Sequence, residues 1–220
     1  MIRLVAFDMD GTLVDVESSW HAVHAHFGET NEAALEDFVH DRIDDEEFLR
    51  RDLALWKKHR PELTVGELEE ILRDVPLMPG ARDLLDELHR RAVKTAIISG
   101  GIDVLARRIG RELGIDCVLA NGFRTDATGR ITGDGIIRVP IKRKDLVLEQ
   151  VQSLLHVPSE ETAAVGNSDI DVRMFERARI GVAFLPVDGR IRSRATIVVT
   201  ERDLLKVLPP LLPDLPPRGR

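Results

Sequence analysis

Apolar residues follow two rhythms along this chain, and their alternation predicts its elements. Ile2 to Phe7 is a short, almost unbroken apolar run and reads as a first buried strand. After Pro79-Gly80, "ARDLLDELHRR" has helical spacing, "VKTAIIS" is strand-like, and "IDVLARRIGREL" is helical again, with Ile102, Leu105, Ile109 and Leu113 as its stripe. "CVLA" reads as a short strand, and "FRTDATGRITGDG" has the turn chemistry of a β-hairpin. Asp145 to Leu155 reads as a helix, "ETAAVG" as a strand and "VRMFERA" as a helix, with "IGVAF" and "ATIVV" as two further strands. Strands that alternate with helices in this way predict an α/β domain on a mostly parallel sheet.

From Val14 to about Pro76 the rhythm differs. Charged residues crowd in, β-branched runs vanish, and "EEFLRRDLALW" sets Phe48, Leu49, Leu53 and Trp56 on one helix face. This stretch reads as a helical module inserted after the first strand. The expected division is a core of 1–13 and 77–211, a helical cap of 14–76, and a tail of 212–220. The sequence "PPLLPDLPPRGR" is too proline-rich for a helix or a central strand.

Bulk properties narrow the function. A net charge of -7 with no basic stripe argues against nucleic acid as a partner. No apolar stretch reaches the roughly 20 residues needed to span a bilayer, and no signal segment is visible, so a cytoplasmic protein is expected. The single cysteine, Cys117, fits a reducing compartment and reads as a small buried hydrophobe.

The chemistry gathers at strand ends. In "VAFDMDGTLVD" two aspartates, Asp8 and Asp10, follow an apolar run and point the same way on an extended backbone. Their mutual repulsion calls for a metal ion, a raised pKa, or both. Ser99 ends a second strand, where "SGGIDVL" also fits a helix N-cap, and Asn167 to Asp171 follow a third. Parallel sheets bind ligands beyond the carboxyl ends of their strands, so three strands deliver polar groups to one edge.

This ordered set, D-x-D-G-T, then Ser, then Lys, then a G-(D/N)-x-x-x-D loop, resembles the haloacid dehalogenase superfamily. "SGG", "LAN", "GRITGD" and the early helical module resemble its phosphoserine phosphatase branch, and the likeness covers nearly the whole chain. The resemblance implies a Rossmann-like core with helices on both sheet faces and a small helical (C1-type) cap. It implies a magnesium-dependent phosphatase of a small phosphorylated metabolite, acting as a monomer or homodimer without nucleic acid or membrane. Asp8 would be the nucleophile, Asp10 the general acid and base, and Ser99, Gly100 and Lys144 the phosphate-binding groups. The family's lysine lies 23 residues before its metal ligand and opens a helix; Lys144 stands that far before Asn167, which favours it over Lys142. The implied magnesium ligands are Asp8, Asp10, Asn167 and Asp171, the last also orienting the lysine.

The final motif departs from the family. "GNSDID" puts Asn167 where the family has a magnesium-binding aspartate and Ile170 where it has Asn. An amide supplies the oxygen without the charge, which predicts weaker metal affinity or a chain that binds phosphorylated ligands without efficient turnover; Asp169 is an extra carboxylate that can act through water. In the phosphoserine branch a Glu seven residues after the general acid faces the substrate amine, which is Glu17 here. That branch's cap arginine aligns with Asp52, leaving the neighbours Arg50 and Arg51 as candidates for the substrate carboxylate. His21, His24 and His26 read as a surface helix or substrate gate rather than a metal cluster, and Trp20 and Trp56 as cap core.

Overall fold

β1 (Leu4–Phe7) is buried along its whole length because it is the centre of the sheet and both of its faces are covered. Its side chains alternate between two cores: Val5 and Phe7 join the larger cluster on one face, Leu4 and Ala6 the smaller one on the other. The computed structural model of the protein describes residues 1–212.

Four helices follow β1: α1 (Ser19–Phe27), α2 (Glu32–Val39), α3 (Asp45–His59) and α4 (Val65–Ile71). α3 buries Leu49, Leu53 and Trp56, three of the four residues on its apolar face, while Phe48 stays half-buried and stacks on Phe38. Asp44 caps the start of α3 by accepting the Glu47 N–H at 2.8 Å. Three acidic residues in its first turn and Lys57, Lys58 and His59 in its last complement the helix dipole.

The chain then winds through α5 (Ala81–Arg90), β2 (Lys94–Ile102), α6 (Asp103–Leu113), β3 (Cys117–Thr125) and β4 (Ile131–Ile136). It continues with α7 (Lys144–Leu155), β5 (Thr162–Gly166), α8 (Val172–Glu176), β6 (Ile180–Phe184), α9 (Gly189–Arg194), β7 (Ile197–Val199) and α10 (Leu208–Leu211). The strand order is β4-β3-β2-β1-β5-β6-β7, parallel except for β4, which pairs antiparallel with β3 as the hairpin predicts. All four residues of the expected stripe are buried, Leu105, Ile109 and Leu113 on α6 and Ile102 at the end of β2. No helix among the described residues is long and apolar enough to cross a membrane.

Several expectations need correction. β2 does not stop at Ser99 but runs on through Gly100 and Gly101 to Ile102, and α6 begins only at Asp103, so Ser99 is not a helix N-cap. β3 runs well past "CVLA" because pairing with β4 extends it. α9 arises where no helix was expected, capped by Asp188 accepting the Ile191 N–H. Pro209 and Pro210 lie within α10, in a first turn that needs no N–H from either. Of the expected tail, 213–220 lies outside the described residues.

Candidate active site

Register brings the strand-end residues together. Phe7 pairs with Ile97 on one side and Val165 on the other, so Asp8, Ser99 and Asn167 all emerge at the same sheet edge. Asp8 is buried, and its Oδ1 accepts the Met9 N–H at 2.8 Å. Lys144 opens α7 with no exposed surface, and its Nζ lies 2.9 Å from Asp8 Oδ1 and 2.7 Å from Asp171 Oδ1. Burial alone would lower the lysine's pKa, but the carboxylates of Asp171 and Asp8 outweigh it and raise the value. Burial pushes the Asp171 carboxyl up, to about 6, so at neutral pH it is ionised beside a charged Lys144.

Asp10 has a different environment. Its Oδ2 accepts both the Ser19 N–H at 2.9 Å and the Ser19 hydroxyl at 2.8 Å, while its buried Oδ1 has no hydrogen-bond partner. Burial pushes its carboxyl up to about 7, with the Asp8 charge adding to the rise and the Ser19 bonds opposing it. Ser19 also accepts the Ile102 N–H at 3.0 Å, which ties the start of α1 to the end of β2. Close approach dictates the glycines here. A Cβ on Gly101 would lie 2.7 Å from Asp10 Oδ2, and one on Gly11, whose φ is +68°, would strike the Asn167 side chain. Ser99 is buried and its Oγ accepts the Gly101 N–H at 3.1 Å. Asn121 supports the same end of β2, donating from Nδ2 to the Val139 carbonyl at 3.0 Å and the Gly100 carbonyl at 3.4 Å.

A cavity of about 480 Å³ opens between this edge and the helical insertion. Asp8, Asp10, Ser99, Gly100, Lys144 and Asn167 line one wall; Glu17, Trp20, His21, His24 and Asp52 line the other. Trp20 Nε1 donates to the Gly100 carbonyl at 3.0 Å and its ring stacks on Trp56 at 5.4 Å, so Trp20 packs against the larger core, which the helical insertion shares with the sheet, and also forms part of the cavity wall. Helical spacing puts His21 and His24 on the cavity side of α1, whereas His26 packs edge-on against Phe27.

Four expected placements are not met. Arg50 pairs with Glu47 and Asp134, and Arg51 with Glu47 and Asp37, on the exposed side of α3, so neither lines the cavity. A helix turns about 100° per residue, and the position that faces inward is Asp52. Asp169 turns to Arg190 at 2.9 and 3.0 Å. Asp171 is turned to protein partners: Oδ1 takes Lys144, and Oδ2 accepts the N–H groups of Asn167 and Ser168 at 3.0 and 3.1 Å. Lys142, the rejected alternative to Lys144, binds the Phe38 carbonyl at 2.6 Å and Asp41 at 2.6 Å.

The magnesium ion that the resemblance implies suits the remaining donors. They are hard oxygens: the Asp8 carboxylate, the Asp10 backbone carbonyl and the Asn167 amide, with the orphaned Asp10 Oδ1 nearby. No cluster of three or more His, Cys, Asp or Glu side chains able to hold a metal occurs among the described residues, so this set carries less charge than a carboxylate-rich one.

Residues 5–176 match the haloacid dehalogenase-like hydrolase family. The chain is 31% identical over 211 residues to the phosphoserine phosphatase of Wolinella succinogenes, covering 94% of this chain and 98% of that one. It is 29% identical over 210 residues to the phosphoserine phosphatase of Methanocaldococcus jannaschii, covering 94% and 96%. Among solved structures it is similar to a phospho-aspartyl intermediate analogue of phosphoserine phosphatase, with a TM-score of 0.79 at 27% identity over 94% of this chain and 97% of the other. A substrate-bound phosphoserine phosphatase complex gives 0.80 at 26% identity, with the same coverage.

Proposed function

Because the chain belongs to the haloacid dehalogenase-like hydrolase family, we propose that it hydrolyses a small phosphomonoester through an aspartyl-phosphate on Asp8, as a phosphoserine phosphatase-like enzyme of the cytoplasm. The observation that carries this reading is the Asp8–Lys144–Asp171 chain of contacts at 2.9 and 2.7 Å beside an Asp10 held near a pKa of about 7. Lys144 and the Met9 amide fix Asp8 Oδ1, which orients the carboxylate and leaves Oδ2 to attack phosphorus. Ser99, the Gly100 amide and the Lys144 charge hold the phosphoryl oxygens in line. As the phosphorus–oxygen bond to the leaving group breaks, Asp10 gives its proton to the departing oxygen. Asp10, now ionised, takes a proton from water as that water attacks the phosphorus, and the bond to Asp8 breaks to release phosphate. Magnesium held by Asp8, the Asp10 carbonyl and Asn167 would neutralise the charge of the phosphoryl oxygens. Glu17, exposed where it lines the cavity just before α1, would meet a substrate ammonium.

An assay on an aryl phosphate with added magnesium tests the reading. The Asp8→Asn variant keeps the fold and loses all but about 1% of turnover, because an amide cannot attack phosphorus. Turnover retained at several per cent would remove Asp8 from its role. A wild-type chain that binds phosphate but turns over no phosphoester would instead be a binding protein on this fold.

A further inference from the structure

The phosphatase reading leaves open what the phosphate is attached to, and the wall opposite Asp8 bears on that. We propose that the substrate is the phosphate ester of a small amino alcohol that carries an ammonium group and no carboxylate; this rests on the phosphatase reading above.

The wall presents no lysine or arginine to a carboxylate. Among the described residues, Lys144 is the only lysine or arginine that lines the cavity, and it is buried between Asp8 and Asp171 at the phosphoryl end. Arg50 and Arg51 are held outside by Glu47, Asp37 and Asp134. The carboxylates Glu17, Glu32 and Asp52 all line the cavity.

Asp52 is the unusual member of that group. It is 1% exposed, its Oδ1 accepts from His24 Nε2 at 2.8 Å and from the Asn31 amide, and its Oδ2 is buried with no hydrogen bond. His24 does not neutralise it. Trp56 Nε1 lies 3.0 Å from His24 Nδ1, and an indole nitrogen can only donate. His24 Nδ1 therefore carries no hydrogen, Nε2 carries the one given to Asp52, and the ring is the neutral tautomer. When ionised, the carboxylate has no cation beside it and one oxygen unsatisfied, an expensive arrangement in a buried place. Burial raises the Asp52 pKa accordingly.

An ammonium group in the cavity relieves this, with Glu17 as its contact at the mouth and Asp52 supplying field from behind. A carboxylate there meets repulsion from both. An amino acid phosphate brings one welcome and one unwelcome charge, whereas an amino alcohol phosphate brings only the welcome one. The leaving group departs as the free amino alcohol, with its oxygen protonated by Asp10.

Specificity constants of the purified chain with magnesium, on four substrates, test this: 2-aminoethyl phosphate, L-phosphoserine, ethyl phosphate and 4-nitrophenyl phosphate. The expected kcat/KM for 2-aminoethyl phosphate exceeds those for L-phosphoserine and ethyl phosphate by about tenfold or more. Asp52→Asn and Glu17→Gln each shrink the preference for 2-aminoethyl over ethyl phosphate by about fivefold. Glu17 is exposed, so its variant remains informative if the Asp52 variant fails to fold. Equal or better turnover of L-phosphoserine overturns the proposal, as does equal turnover of ethyl phosphate, provided the aryl phosphate is hydrolysed. If the aryl phosphate is not hydrolysed either, the phosphatase reading itself fails.

Discussion

Ser19 lies outside every motif that the sequence offers, yet its amide and hydroxyl both reach Asp10 Oδ2. Hydrogen bonds to a carboxylate favour its ionised form, so they hold the Asp10 pKa below where burial alone would take it. Removing the hydroxyl in Ser19→Ala raises that pKa and keeps the acid form present to higher pH. The falling alkaline limb of kcat/KM on an alkyl phosphate should therefore move up by about one pH unit. A limb that stays in place would mean Asp10 is not the group titrating there. Asn167→Asp restores a charged donor, and the magnesium concentration for half activity should fall on the order of tenfold. An unchanged midpoint would remove Asn167 from the metal's shell. Asp8, Asp10, Ser99 and Asn167 were readable in sequence because each stands at the end of an apolar run, and Lys144 because the family resemblance sets its spacing to Asn167; the structure brings them to one cavity. Ser19, Asn121 and Asp52 were not. Their partners, Ile102, Val139 and His24, lie 83, 18 and 28 residues away, and no local pattern encodes such contacts.

Elements were legible in proportion to the length of their periodic pattern. α6 repeats its apolar stripe over three turns and α3 over nearly as many, so spacing alone finds them. α4 and α9 span seven and six residues, too few for a period to declare itself. α4 depends instead on its first turn. Thr64 Oγ1 accepts the Glu67 N–H at 3.2 Å while Glu67 Oε2 accepts the Thr64 N–H at 2.9 Å, a reciprocal capping box. Thr64→Ala should cost about 1 kcal/mol, read as a lower midpoint in urea with an unchanged slope. A loss of under a few tenths would show that packing of Leu68, not the cap, holds α4 in place. The end of β2 was misread for another reason. Two glycines after Ser99 look like a stop, but they permit a strand to pass within contact distance of Asp10 and Ser19.

Across the whole molecule, the helical insertion is tied to the rest of the chain at several points. Lys142 reaches the Phe38 carbonyl and Asp41, and Lys57 the carbonyls of Ile131 and Thr132 at 2.9 Å. Asp45 accepts the Ile141 N–H at 2.8 Å, and Trp20 donates to Gly100. The last of these ties has an optical consequence. The chain holds two tryptophans and no tyrosine, so its near-ultraviolet emission comes from the stacked Trp20 and Trp56 pair. One of those indoles is hydrogen-bonded to the end of β2 proposed to grip phosphate, so the fluorophore and the binding event share a bond. Titrating inorganic phosphate into the magnesium-loaded protein should shift the emission, and Trp20→Phe should abolish most of that shift while phosphate still binds by calorimetry. Should the shift survive in Trp20→Phe, the signal arises from Trp56 and the bond to Gly100 is not its source. With Trp20 as the reporter, substrate arrival can be followed in a stopped-flow cell on the unlabelled protein.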